Sequence, residues 1–350
     1  MASQSLNKHT MSIKSKRFTL KDIAQDLGVS RATVSNAFNR PELLAQVQRE
    51  RILSHAHSLG YFGPDPMARA MRRKDIREVA VVFHHDLSYA FQDAQSVQFL
   101  RGVASELDSR SLVLQLIPQM GRNAGVPAAF QTTADAIIVH ADVPAELQPQ
   151  LRGMQKPVVL IDTLVDGIRS IGIDDVAGAR LAMGYALSKR PARVLALCLP
   201  VVENERQKIT ADPFSFRSPM VSGARLSGYL QALIDANFDQ KHVDWLEVDS
   251  ADPESVSRLI LERIKHEGSA DLAIVCMSDR IALAVQQVLH LGRYTPPCAL
   301  VGFDDIPEAA SLGLTTVRQD SYAKGVSAVK MLFDHMSSQT MPVQLVVRTT

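Results

Sequence analysis

From Val79 onward, short runs rich in β-branched residues alternate with segments of helical period, and few folds accept that order. The runs are Val79–Phe83, Leu112–Ile117, Ala136–Val139, Val158–Ile161, Val194–Leu199, Leu272–Cys276 and Ala299–Phe303. Helical patterns lie near 94–109, 175–189, 222–236, 253–267, 279–290 and 321–337. Such alternation predicts a mainly parallel, doubly wound α/β sheet with helices on both faces. About 270 residues is long for one such unit, so two lobes are expected. In open sheets of this kind ligands sit beyond the C-terminal ends of the strands.

The residues before Val79 follow another pattern. Residues 1–16 are polar and aperiodic, a mobile tail by expectation. Short helical patterns then fill 19–59. The first opens at Thr19 with Asp22 at capping-box spacing, carries Leu20, Ile23, Ala24 and Leu27 on one face, and meets Gly28. Ser30 offers an N-cap for a second helix, and a third runs from Gln46 to Ser58. Two helices joined at Leu27-Gly28-Val29-Ser30 make a helix-turn-helix, with the alternative of a three-helix module that binds protein. Charge favours the first. Residues 1–77 hold 14 Lys/Arg against 6 Asp/Glu, a balance of +8, and the rest hold 24 against 31, a balance of −7. The chain's net charge of +1 hides that division. A basic head on an acidic body is the pattern of a nucleic-acid-binding module attached to something else. On the second helix Arg31 can bond a guanine edge twice, and Asn36 can pair with adenine or a phosphate. Thr33 and Ser35 can reach phosphates or a thymine methyl.

Catalytic patterns are absent: there is no dinucleotide or phosphate loop, metalloprotease helix or nucleophile elbow. Ser321-Tyr322-Ala323-Lys324 fits Ser-x-x-Lys without its companion motifs and reads as chance. The pairs His84-His85 and His55/His57 lack further ligands at useful spacing, so no metal and no cofactor are expected. Cys198, Cys276 and Cys298 form neither a disulfide framework nor a metal clip, and they suit a reducing cytoplasm. The longest apolar run, Val194–Val202, is broken by Pro200, and no signal peptide is apparent, so a cytoplasmic protein without membrane contact is expected.

The run Leu20-Lys21-Asp22-Ile23-Ala24 through Leu27-Gly28-Val29-Ser30-Arg31-Ala32-Thr33-Val34-Ser35-Asn36-Ala37-Phe38-Asn39 resembles the headpiece of the lactose-repressor/galactose-repressor (LacI/GalR) family. The resemblance continues at Met67-Ala68-Arg69-Ala70-Met71, Ile171-Gly172-Ile173-Asp174-Asp175 and Arg225-Leu226-Ser227-Gly228-Tyr229. It runs on through Ser278-Asp279-Arg280-Ile281-Ala282, Val301-Gly302-Phe303-Asp304-Asp305 and Thr315-Thr316-Val317-Arg318-Gln319. Order and spacing together, over 17–350, give the match its strength.

The resemblance implies a headpiece at 17–63, a hinge helix at 64–77 and a two-lobed periplasmic-binding-protein-like body at 78–350. The N-terminal lobe would take about 78–190 plus 319–340, and the C-terminal lobe about 191–318 plus 341–350. DNA contact falls on Thr19, Ser30, Arg31, Ala32, Thr33, Ser35, Asn36 and Asn39, with Arg31, Ala32 and Asn36 at base-reading positions. In the hinge it falls on Met67, Ala68 and Met71, the last standing where an apolar wedge, usually leucine, enters the minor groove.

Arg225 and Asp279 become effector ligands, since a guanidinium and a carboxylate can grip vicinal hydroxyls; alternatively Arg225 lies on the surface and Asp279 only caps a helix. Tyr89, Phe91 and Asp93 suit ligand contact, with core or dimer-interface packing as the alternative. Gln319 falls on a crossover, as a ligand contact or a hinge residue, and Asp174 and Asp175 fit the cleft wall or a structural role rather than direct ligation. Pro200–Val221, without clear period, is expected to be a lid or partner-contact loop, or else a disordered insertion. The implied protein is a homodimeric repressor of transcription. It binds pseudo-palindromic double-stranded operator DNA and is switched by a small-molecule effector, a sugar or sugar derivative. The alternatives are a small-molecule receptor of the same body fold without regulatory DNA binding, and an α/β enzyme.

Overall fold

In the computed structural model the chain divides into two units, 1–75 and 76–350. The structure describes residues 18–59, 61, 76–83, 86–117, 130–141, 143–201, 203–215, 218, 220–248, 253–267, 270–334 and 336–350. The tail at 1–16 and the hinge stretch with Met67, Ala68 and Met71 lie outside these residues, as does the Asn39 side chain.

In the first unit, α1 (Leu20–Leu27) starts in the expected capping box: the Thr19 hydroxyl accepts from Asp22 N, and Asp22 accepts from Thr19 N at 2.8 Å. It ends at Gly28, whose φ of +65° a side chain would strain. Helix α2 (Arg31–Asn39) starts at Ser30, whose Oγ accepts from Thr33 N at 3.0 Å. Val34 and Ala37 of α2 pack on Ile23 and Ala24 of α1 and on Ile52 and Ala56 of α3 (Gln46–Ser58). Burying Ile23, Val34 and Ile52 contributes about 1.5–3 kcal/mol each, so this small core fixes the turn between α1 and α2.

The second unit holds two six-stranded sheets. The first contains β1 (Glu78–Phe83), β2 (Val113–Ile117), β3 (Ala136–His140), β4 (Val158–Ile161), β5 (Arg169–Ile173) and β11 (Gln339–Met341). The second contains β6 (Arg193–Cys198), β7 (Val243–Glu247), β8 (Leu272–Cys276), β9 (Ala299–Asp304), β10 (Thr315–Arg318) and β12 (Gln344–Val346). The strand orders are β11-β5-β4-β3-β1-β2 and β12-β10-β9-β8-β6-β7. Neighbours run parallel except β10 and β12. Strands β4 and β8 are apolar throughout, and β1, β3, β6 and β9 carry a polar residue only at one end, as burial on both faces demands.

Helix α4 (Ala94–Ser109) belongs to the first sheet; α5 (Asp175–Ser188), α6 (Glu203–Ala211), α7 (Val221–Asp235), α8 (Pro253–Glu267) and α9 (Asp279–Leu291) follow in the second. Helix α10 (Ser321–Phe333) returns to the first and packs against α4. Single-turn helices stand at Leu87–Ala90, Gln148–Arg152 and Pro307–Ser311. The chain crosses between lobes after β5, after β10 and between β11 and β12.

Two expectations are corrected. Helix α5 lies in the C-terminal lobe, because Ala179, Ala182, Met183 and Ala186 pack with Val194, Leu226 and Ala273. The first crossover therefore falls at 173–175, not near 190. The described residues of 200–221 include helix α6, where a stretch without clear period was expected, and they pack on the body: Ile209 is fully buried, and the Pro213 carbonyl accepts from Gln231 Nε2 at 2.6 Å and from the Ser227 hydroxyl.

Candidate functional site

The headpiece presents Thr19, Ser30, Arg31 and Ala32 as exposed residues at the starts of α1 and α2, with Thr33, Ser35 and Asn36 half-buried beside them. Alternation along α2 sends Val34 and Ala37 inward and leaves the polar residues outward, at the end of a helix that can enter a major groove. The Ser30 and Thr33 hydroxyls are bonded to each other at 2.8 Å. This couples the cap to the side chains nearest the helix start.

In the body, a cleft of about 730 Å³ lies between the lobes at the C-terminal ends of the strands. Among its lining residues are Tyr89, Asp93, His140, Asp162, Arg225, Arg280, Asp304, Gln319 and Lys324. On the C-terminal side, Arg225 is only 5% exposed and its guanidinium lies 3.6 Å over the ring of Phe303. Its Nε donates to Asp175 Oδ1 at 2.8 Å, its Nη1 donates to the Met277 carbonyl, and its Nη2 stands 3.8 Å from Asp304 Oδ1. Burial draws the Arg225 pKa down, but Asp175 and Asp304 outweigh it and raise it overall.

On the N-terminal side Lys324 Nζ donates to both carboxylate oxygens of Asp162, at 2.8 and 2.7 Å, and to Gln319 Oε1 at 2.9 Å. Burial alone would raise the Asp162 pKa, yet the Lys324 ammonium and His140, 3.7 Å away, hold it below the usual carboxylate value. Gln319 Nε2 donates to Asp304 Oδ1 at 2.6 Å. A polar chain thus runs from Asp162 through Lys324 and the crossover residue Gln319 to Asp304, Arg225 and Asp175.

Asp304 stands at an elbow of unusual backbone: its φ is +125° and that of Asp305 is +55°. Neither is glycine, so the surroundings must hold the strain. Asp305 is gripped by Arg318 and Arg348, each at 2.6 Å. Asp279 pins the other side, accepting from Ile306 N at 3.0 Å and from Thr316 Oγ1 at 2.6 Å. Gly302 is needed there, since a Cβ would collide with Asp279 Oδ1. Burial pushes the Asp304 carboxyl up to about 8 and that of Asp279 up to about 6.

Of the expected effector residues, Tyr89, Asp93, Arg225 and Gln319 line this cleft. Asp279 does not: it is fully buried with its oxygens used by the elbow, and the N-cap of α9 is Ser278, accepting from Ile281 N. Phe91 is 59% exposed and is not among the lining residues; it is the C-cap of the single-turn helix Leu87–Ala90. Asp175 pairs with Arg225, whereas Asp174 caps α5, accepting from Ala177 N at 2.9 Å. Among the described residues no group of His, Cys, Asp and Glu could hold a metal ion, and no helix is long and apolar enough to cross a membrane.

Residues 19–63 match the model of bacterial regulatory proteins of the lacI family, and 213–350 match a periplasmic binding protein-like domain. The chain is 34% identical over 329 residues to the HTH-type transcriptional regulator Rv3575c of Mycobacterium tuberculosis, covering 91% of this chain and 90% of that one. The chain belongs to the LacI family. It is a sequence-specific DNA-binding transcriptional regulator, in a family of regulators rather than enzymes.

Its fold is similar to that of the lac repressor dimer bound to operator and the anti-inducer ONPF, with a TM-score of 0.71 at 21% identity over 95% of this chain and 98% of that one. It is also similar to the transcriptional regulator CelR–cellobiose complex, with a TM-score of 0.59 at 21% identity over 95% and 99%. Within this LacI-family cleft, sequence reasoning missed Asp162, His140, Lys324 and Asp304 as wall residues. Asp304 could have been found, since it ends a strand within the motif Val301-Gly302-Phe303-Asp304-Asp305. Lys324 lay hidden in the Ser-x-x-Lys pattern. Ser321 donates to Gln95 Oε1, while Lys324 donates to Asp162 and Gln319, so the two do not form a nucleophile pair.

Proposed function

We propose that this LacI-family regulator is a homodimeric repressor in the cytoplasm, whose operator binding is switched by a neutral polyhydroxylated effector, a sugar or sugar derivative, held in the cleft. The matched charges of the cleft carry the proposal. Arg225 is paired with Asp175, Lys324 with Asp162, and Arg280 faces Asp93. Cations already balanced by carboxylates leave no surplus for a phosphate, whereas donor and acceptor pairs suit hydroxyls, which do both. The Tyr89 ring has the Arg280 guanidinium 4.8 Å from its centre, so that face is not open for stacking a nucleobase. The cellobiose complex of CelR, on a similar fold, supports the sugar class.

Tyr89, Asp93, Arg225, Asp304 and Gln319 contact the effector. In the headpiece Arg31, Ala32 and Asn36 meet base edges, and Thr19, Ser30, Thr33, Ser35 and Asn39 meet the backbone. Met67, Ala68 and Met71 serve the minor groove in a pseudo-palindromic site. Closure of the lobes around the effector shifts the population between forms of different DNA affinity.

A thermal-shift screen of the full chain against neutral sugars, sugar phosphates and purines tests the effector class. A sugar is expected to raise the melting temperature by mass action. A shift confined to phosphates or purines would overturn the proposal.

A further inference from the structure

On the footing of the sugar reading above, we infer that Arg280 and Asp93 together recognise one hydroxyl of the effector across the two lobes, which makes Arg280 a specificity-determining residue. Arg280 is the second residue of α9 in the C-terminal lobe, and Asp93 N-caps α4 in the N-terminal lobe. Asp93 Oδ2 is occupied locally, accepting from Ser96 N and Ser96 Oγ, both at 2.8 Å. Its other oxygen, Oδ1, stands 3.7 Å from Arg280 Nη1, too far for a hydrogen bond. Arg280 Nη1 is buried and makes no hydrogen bond among the described residues. Native proteins leave few such donors in their interiors. The rest of the Arg280 guanidinium engages Tyr89, so Nη1 is the atom left over; Lys324 by contrast has three acceptors, and Arg225 bonds Asp175 and the Met277 carbonyl.

A hydroxyl is the group that satisfies both facing atoms. Its oxygen accepts from Arg280 Nη1 while its proton goes to Asp93 Oδ1. A carboxylate or phosphate would serve Arg280 but set like charge against Asp93, and an ammonium would do the reverse. An apolar group would serve neither. Because the two residues come from different lobes, the bridge forms only in the closed body, so the pair that reads the hydroxyl also reports closure.

The test is isothermal titration of the full-length protein with D-glucose, D-galactose, D-ribose and cellobiose. The sugar that binds wild type most tightly, and its monodeoxy analogues, are then titrated into Arg280→Met, Arg280→Lys and Asp93→Asn. The expected result is about a tenfold loss of affinity in R280M and D93N, with R280K between. One deoxy analogue should bind wild type as weakly as the parent sugar binds R280M, and lose nothing further in R280M. A merely structural arginine would not single out one hydroxyl. R280K and D93N keep the test open if R280M does not fold. Parent-sugar affinity unchanged in the folded variants, or every deoxy analogue weakened alike by R280M, would overturn the inference and leave the sugar reading standing. If no sugar binds wild type while glucose 6-phosphate or adenine does, the sugar reading falls and the inference with it.

Discussion

The recognition helix and the cleft are opposite solutions to binding. In the headpiece, Ser30 to Asn36 form one short stretch whose polar side chains lie outward while Val34 goes into the core. In the cleft, Asp93, Asp162, Arg225, Asp304, Gln319 and Lys324 come from strand ends, helix starts and a crossover far apart in the chain. Exposed, contiguous groups can change with little effect on folding. Buried groups that satisfy one another cannot, so in the cleft specificity and stability are carried by the same residues.

Lys324 should break that comparison most sharply. Its side chain is 3% exposed, and Lys324→Met leaves the buried Asp162 carboxylate without its ammonium partner, with only His140 at 3.7 Å. Urea denaturation is expected to show the body losing about 3 kcal/mol, with most of it recovered in the K324M/D162N double variant. A loss below about 1 kcal/mol would mean that the pair is solvated in practice. Arg31→Ala is the headpiece counterpart. It should weaken operator binding by about 1–3 kcal/mol and relax specificity at one base position, with urea unfolding unchanged. Equal weakening on all sequences would make Arg31 a phosphate contact.

A gentler effect concerns pH. The folded Asp304 carboxyl titrates at about 8 against an ordinary value of 3.8. Its contribution to stability is complete below that ordinary value and is lost as pH rises towards 8. Asp162, held low, loses its contribution only as pH falls below 3.8. Asp304→Asn should therefore flatten the decline of body stability between those limits, and a melting-temperature profile that keeps its slope would show that another group titrates. Ser30→Ala should be the smallest change, about 1 kcal/mol of headpiece stability by thermal melting.

The headpiece was legible almost throughout, because its signals are local: a capping box at Thr19, a left-handed Gly28, an N-cap at Ser30. The apolar inner strands and long helices of the body were legible from period. Strands β5, β7 and β10 to β12 were not, since Arg169–Ile173, Val243–Glu247 and Thr315–Arg318 mix polar and apolar residues and become strands by pairing with distant partners. Among its described side chains, helix α6 sets mostly polar residues around the buried Ile209, so its helical period is faint until it meets α7.

The cleft divides the same way. Arg225 and Gln319 carried a recognisable motif. Asp279 misled because a polar residue at the start of a helix near a strand end resembles a ligand, while its actual partners, Ile306 and Thr316, are brought to it only by the folded elbow. The Lys324–Asp162 pair spans 162 positions of sequence, and no local pattern announces it.

The most direct test of a DNA-binding switch worked through the cleft is a fluorescence-anisotropy titration of the full-length protein. The duplex would be selected from a random pool, with salt held fixed and the sugar identified by thermal shift either absent or saturating. The sugar should move the midpoint of DNA binding about tenfold or more, the scale of an ordinary allosteric coupling. Superimposable curves with the sugar bound would contradict it.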